Sequence, residues 1–137
     1  IFQTTPDTIT LNRGQALLGL MQLGPKGLFR WHATCCNAPM FNTLSRPTLP
    51  FCGVIVKRLT APEIIGPVRV RSFVPVPGGG GPKHQGAALM VWRFVTRMGA
   101  ARLSGRWRKT PFFNVETGEP VVAPRVLTKE QRAAATR

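Results

Sequence analysis

The stretch Gly24-Pro25-Lys26-Gly27-Leu28-Phe29-Arg30-Trp31-His32-Ala33 decides the fold of this 137-residue chain. Gly24-Pro25-Lys26-Gly27 is a strong turn: Pro25 presets φ for a turn position, and the flanking glycines accept backbone angles that side chains resist. From Leu28 onward apolar and polar residues alternate. Phe29, Trp31 and Ala33 fall on one face of an extended segment, and Leu28, Arg30 and His32 on the other. Before the turn, residues 17–23 are mostly apolar and read as a second strand, although their Leu and Met content leaves a helix open. Two short strands around a tight turn read as a hairpin.

The rest of the chain is read outward from that hairpin. Upstream, Thr8-Ile9-Thr10-Leu11-Asn12 alternates and predicts a half-buried strand, with Asn12-Arg13-Gly14 as a turn. Downstream, Thr34-Cys35-Cys36-Asn37-Ala38-Pro39 is too polar and too Pro-bounded to prolong the strand, so the backbone must turn. Met40-Phe41-Asn42 can restart a strand. Residues 46–50 carry two prolines and read as a loop, and residues 51–56 as a short buried strand. Residues 68–76 alternate Val and Arg before meeting Pro75 and Pro77. Gly78-Gly79-Gly80-Gly81-Pro82 is the clearest break. It is read as a linker over 78–84, not as a phosphate loop, because no Gly-Lys-Ser/Thr follows to open a helix.

Beyond the break, the periodicity predicts a helix from Gln85 to about Leu103. Leu89, Trp92, Val95 and Met98 give an apolar stripe, with Arg93, Arg97 and Arg102 on a more polar side. Gly99 weakens its later part, and Gly105 is a stop signal. Thr128-Lys129-Glu130-Gln131 resembles a capping box opening a short C-terminal helix. The expected organisation is a mainly β core over 1–77, the linker, and a basic helical extension over 85–137 packing on the core. The fold class is α+β, mostly β.

Composition bounds the function. With 43% apolar residues the chain suits one globular domain with a modest core. No run of 18 apolar residues is present, so no membrane span and no membrane partner are expected. The opening Ile1-Phe2-Gln3-Thr4-Thr5 has neither a basic region nor a long apolar run, so it is not a signal peptide. It also lacks an initiator Met and begins inside a β-like segment, so natural sequence is expected to precede it. Nineteen Lys and Arg against five acids give a net charge of +14, which favours polyanions through counterion release. Three cysteines, Cys35, Cys36 and Cys52, make a poor disulfide framework and point to a reducing, cytoplasmic compartment.

Three chemistries can be built from these residues. The first is a metal site: His32-Ala33-Thr34-Cys35 has the spacing at which two ligands reach one ion across a turn, and Cys36 is an alternative second ligand. Cys52 and His84 are the only other soft side chains, so His-x-x-Cys is half a site. The alternative is that Cys35 and Cys36 are small side chains beside a turn and His32 an ordinary strand residue. The second is a thiolate nucleophile, with His32 and Arg30 lowering a cysteine pKa, but no acyl-transfer framework accompanies it. The third is a nucleic-acid interface: Arg93, Arg97, Arg102, Arg106, Arg108 and Lys109 interleave with Trp92 and Trp107, a pattern suited to phosphates and stacked bases.

At Arg30-Trp31-His32-Ala33-Thr34-Cys35-Cys36-Asn37-Ala38-Pro39-Met40-Phe41 the chain resembles the glutathione-dependent formaldehyde-activating enzyme-like (GFA-like) superfamily. There a strand delivers a phrase like Arg-Phe-Cys-x-x-Cys-Gly-Ser-Pro-Leu-Phe. Ile1-Phe2-Gln3-Thr4-Thr5, the 24–31 segment, Thr110-Pro111-Phe112-Phe113 and Pro124-Arg125-Val126-Leu127-Thr128 are similar to a bacterial branch carrying a Cys-Cys-Asn-x-Pro phrase. The resemblance implies a β-tent, in which small antiparallel sheets meet at a zinc site. It also implies a carbon–sulfur lyase-type reaction joining glutathione and formaldehyde, and hence a thiol-adduct substrate. The superfamily's Cys-x-Cys and earlier Cys-x-x-Cys motifs are absent here, and His32 stands where the first cysteine of the later pair would be, with one residue inserted. The resemblance therefore implies a partial metal site of Cys35, Cys36 and His32, with zinc requiring residues upstream of Ile1. As an isolated chain, residues 1–137 are expected to be inactive.

Overall fold

The computed structural model of the chain describes residues 1–74 and 83–135. Its main element is a six-stranded sheet made of β1 (Phe2–Thr4), β2 (Leu18–Gln22), β3 (Phe29–Ala33), β4 (Ala38–Thr43), β5 (Cys52–Val54) and β8 (Arg125–Val126). The strand order is β1-β5-β4-β3-β2-β8. All pairs are antiparallel except β2 with β8, which is parallel. A second, two-stranded sheet pairs β6 (Arg71–Val74) with β7 (Lys83–Gln85). One long helix, α1 (Ala87–Leu103), and a short one, α2 (Lys129–Ala135), complete the mainly β, α+β fold. The glycine stretch 78–81 lies outside the described residues.

The β2–β3 hairpin forms as its turn chemistry requires. The Gly27 N–H donates to the Gly24 carbonyl at 2.9 Å, and Leu20 pairs with Trp31 across the strands. Phe29 and Trp31 are buried while Arg30 is exposed, so the alternation in the sequence is the alternation of the two faces. Between β3 and β4 the register slips: Trp31 pairs with Phe41 but His32 with Pro39, leaving Met40 as the extra residue. A bulge is where a strand tolerates a residue without an N–H, which is why Pro39 can lie inside β4. The freed Met40 carbonyl accepts from the Ile55 N–H at 3.0 Å.

The core lies on the Phe29 and Trp31 face, where Leu20, Phe29, Trp31, Cys52, Val54, Phe112 and Phe113 are buried together. Two of its largest side chains come from far along the chain. Phe112 packs 5.0 Å from the Trp31 ring, and Phe113 stacks on Phe29 at 6.0 Å. Asn114 holds this segment in shape, its Oδ1 accepting from the Glu116 N–H at 2.9 Å and the Thr117 N–H at 3.3 Å. Trp31 is fully buried, and its indole N–H donates to the Thr43 hydroxyl at 2.9 Å. That bond matters because a buried donor without an acceptor costs about 1–3 kcal/mol.

Two sequence expectations are corrected by the backbone. The alternating residues 8–12 do not form a strand; Pro6–Thr8 is a 3-10 turn instead. Pro6 suits its first position, and the Thr8 hydroxyl donates to the Thr5 carbonyl at 2.8 Å, a local bond that competes with strand pairing. The second correction concerns α1. Its packed face carries Met90, Phe94, Arg97, Met98 and Ala101, of which Ala101 alone is fully buried. Leu89, Trp92 and Val95, three of the four stripe residues, are exposed. The reason is a set of ties on the other side: Phe94 packs 5.4 Å from Phe51, the Arg97 guanidinium donates to the Gln3 carbonyl, and Arg102 donates to the Thr48 carbonyl at 3.1 Å.

The C-terminal end of α1 and the start of α2 are as the sequence suggests, whereas Gln85, the expected first residue of the long helix, ends β7 and α1 begins at Ala87. Gly105, at φ 72°, follows the Ser104 cap in the left-handed conformation that ends many helices. Thr128 and Gln131 form the reciprocal capping pair, the Gln131 N–H donating to the Thr128 hydroxyl at 3.2 Å and the Thr128 N–H to Gln131 Oε1 at 3.0 Å.

Candidate functional site

The turn between β3 and β4 displays two thiols. Thr34 anchors its first half, both its N–H and its hydroxyl donating to the Leu17 carbonyl, at 2.8 and 3.1 Å. The Cys36 N–H reaches back to the Ala33 carbonyl at 3.4 Å. Asn37 adopts φ 53°, a left-handed conformation that asparagine tolerates better than most residues, and this lets Ala38 enter β4 buried. Cys35 and Cys36 are left exposed at the tip, with their Sγ atoms 3.8 Å apart. The Cys35 thiol donates to Cys36, and this hydrogen bond, with the like charge of Cys36, raises the Cys35 pKa above its ordinary value. The pair therefore holds the Cys35 proton at neutral pH, which weighs against a spontaneous thiolate nucleophile.

His32 lies on β3 opposite Gly19 of β2. The two are in close approach: a β-carbon on residue 19 would sit 2.5 Å from His32 Nε2 and 2.8 Å from Thr34 Cγ2. His32 Nδ1 is buried and has no hydrogen-bond partner. His32, Cys35 and Cys36 do not close into a three-donor group, and among the described residues no three His, Cys, Asp or Glu side chains do. Cys52 is on β5 in the core, fully buried, and burial pushes its thiol up to about 12. His84 is exposed on β7 in the smaller sheet. Of the soft side chains named from the sequence, the structure thus brings together Cys35 and Cys36.

Beside this turn is a feature the sequence reading did not anticipate. A cavity of about 180 Å³ is walled by Leu11, Leu17, Leu18, Ala33, Met40 and Phe41, with Arg13 as its charged member. Ala33 is the last residue of β3, so the cavity begins where the thiol turn begins. It exists because residues 9–14 run as a loop and not as a strand, carrying Leu11 and Arg13 to its wall.

The basic residues nominated for nucleic acid are largely occupied. Arg97 and Arg102 tie α1 to backbone carbonyls, as described. Arg106 donates to the Ser104 hydroxyl at 3.1 Å and pairs with Asp7 at 3.7 Å. Arg108 lies 4.6 Å over the Trp107 ring, covering one of its faces. Arg93 and Lys109 are exposed.

The mainly β fold thus presents a vicinal dithiol on a pinned turn, beside a small, mostly apolar cavity. Residues 1–124 match the model of a family of unknown function, DUF6151, and the chain belongs to that family. No curated protein and no solved structure matches the chain.

Proposed function

We propose that the Cys35–Cys36 turn is a two-thiolate clamp for a zinc-type ion in a GFA-like domain related to carbon–sulfur lyases acting on thiol adducts. One observation carries this reading. Two thiolates bound at 2.3 Å to one tetrahedral ion lie about 3.8 Å apart, and the Sγ atoms of Cys35 and Cys36 are separated by 3.8 Å. The fit is to two corners of the tetrahedron. The other two donors would come from outside the described residues, and His32 stands within a few residues of the turn without completing a set. When bound, the ion would supply Lewis acidity toward a sulfur or carbonyl group. The chain's own part is to hold two thiols at a fixed spacing, through the Thr34 anchor and the Asn37 turn. Because the thiols must give up their protons to bind, affinity rises with pH.

Cadmium titration of the purified chain, followed by thiolate-to-metal charge-transfer absorption, tests the clamp. Wild type and Cys52→Ser should give the same saturable signal, and Cys35→Ser or Cys36→Ser should lose it. An unchanged signal in Cys35→Ser and Cys36→Ser would refute the reading.

A further inference from the structure

The outward face of α1 has no use in the site just described. Leu89, Val91, Trp92, Val95 and Leu103 are all exposed, Trp92 at 68%, Val95 at 54% and Leu103 at 91%. With Ala88 and Gly99 they recur at steps of three and four residues, so they share one side of the helix, with Thr96 and Arg102 among them toward its C-terminal end. The stripe runs for roughly 22 Å at helical rise. It lies on the side of α1 opposite Phe94 and Arg97, which hold the helix to the body of the protein. Arg93 is exposed at one edge, Arg102 lies within the stripe with its guanidinium on the Thr48 carbonyl, and exposed Arg106, Arg108 and Lys109 follow directly. No acidic residue occurs between Glu63 and Glu116.

We propose that this face of α1 docks on an anionic lipid surface. An apolar stripe containing a tryptophan, with basic residues beside and after it, is the composition of a helix that lies in the plane of a membrane interface. The charge favours this occupant over a second copy of the chain, since two bodies of net charge +14 repel each other. It also fits better than a nucleic acid. Phosphates would meet the exposed Arg93 and Lys109 but leave Leu89, Val91, Val95 and Leu103 without apolar cover, whereas a lipid interface offers anionic headgroups and acyl chains together. No helix among the described residues is long and apolar enough to cross a membrane. Lying on a surface needs neither property.

Co-sedimentation of the full chain with vesicles tests this. Vesicles of phosphatidylcholine alone should bind weakly, and vesicles enriched in phosphatidylglycerol strongly. Trp92→Ser and Val95→Ser should each weaken binding roughly tenfold, the effect of removing one large buried apolar side chain. Both positions are exposed in the structure, so circular dichroism should be unchanged. On anionic vesicles, wild-type tryptophan emission should shift to the blue, and the Trp92→Ser protein should lose that shift. Anionic-vesicle binding that survives Trp92→Ser/Val95→Ser would overturn the proposal. So would a dimer in sedimentation that these substitutions dissociate, or binding to a single-stranded oligonucleotide without binding to vesicles.

Discussion

Replacing Cys52 by alanine should reverse the order of stability between variant and parent as the pH rises. Cys52 is closed off from solvent: on β5 it pairs with Thr4 of β1 and Thr43 of β4, and its relative exposure is 0%. Desolvation by burial raises its thiol from an ordinary 9.0 to about 12. Between those values the folded chain keeps the proton and the unfolded chain gives it up. The folded state then binds one proton more, so stability falls with pH by about 1.4 kcal/mol per unit. The contribution is intact below pH 9.0 and lost as pH climbs toward about 12, a total of roughly 4 kcal/mol. Alanine has no such proton to hold, but it leaves a small void that should cost about 1–2 kcal/mol at neutral pH. The two stability curves should therefore cross about one pH unit above 9. The comparison is best made with Cys35 and Cys36 changed to serine in both proteins, because the raised Cys35 thiol adds a slope of its own. The chain contains no tyrosine, so no phenol titrates in the window, and lysines contribute alike to both proteins. Urea unfolding midpoints from pH 7 to 11 provide the measurement. Curves that stay parallel to pH 11 would show that the Cys52 thiol is not held protonated by burial.

Three further outcomes follow from the packing. Thr43→Val should strand the Trp31 indole N–H and cost about 1–3 kcal/mol, and adding Trp31→Phe should make the double variant less destabilised than the sum of the singles; denaturant unfolding of the cycle reads this. Gly19→Ala should push the His32 ring away from β2, with a cost of about 1–3 kcal/mol and a changed His32 imidazole chemical shift, since the new β-carbon meets His32 Nε2 at 2.5 Å. Thr128→Ala should remove the α2 cap at a cost of about 1 kcal/mol to that helix, seen as faster amide exchange over α2 with the sheet unaffected.

What could be read from the sequence, and what could not, follows the range of the forces involved. The β2–β3 hairpin was legible because Gly24, Pro25 and Gly27 fix the turn locally and Phe29 and Trp31 fix the buried face. The Thr128–Gln131 cap was legible for the same reason. The span of α1 was legible, but its orientation was not. Met90, Phe94, Met98 and Ala101 form a second apolar stripe on the same helix. Choosing between the stripes depends on Phe51, Gln3 and Thr48, which are distant in sequence. Residues 8–12 failed the other way, a period-two pattern overridden by Pro6 and by the Thr8 hydroxyl. At the site, residue types and spacing pointed to Cys35 and Cys36. The 3.8 Å between their sulfurs, the close approach of Gly19 to His32 and the cavity beside Ala33 are products of strand register and appear only in three dimensions. Phe112 and Phe113, read from the sequence only as part of a family-like phrase, close the core.

The tie between Arg97 and the Gln3 carbonyl has a consequence for how the protein behaves in a concentrated solution. Gln3 belongs to β1, an outer strand of the six-stranded sheet, and an outer strand offers bare carbonyls on which another chain can extend the sheet. Here one of those carbonyls is already held by an arginine from α1. At the opposite margin β8 is only two residues long and exposed, too short a template for strand addition. One margin of the sheet thus has a carbonyl capped by a side chain, and the other offers a strand of only two residues. Loosening α1 from the sheet would uncover that carbonyl, so Arg97 helps to shield the β1 margin from strand addition.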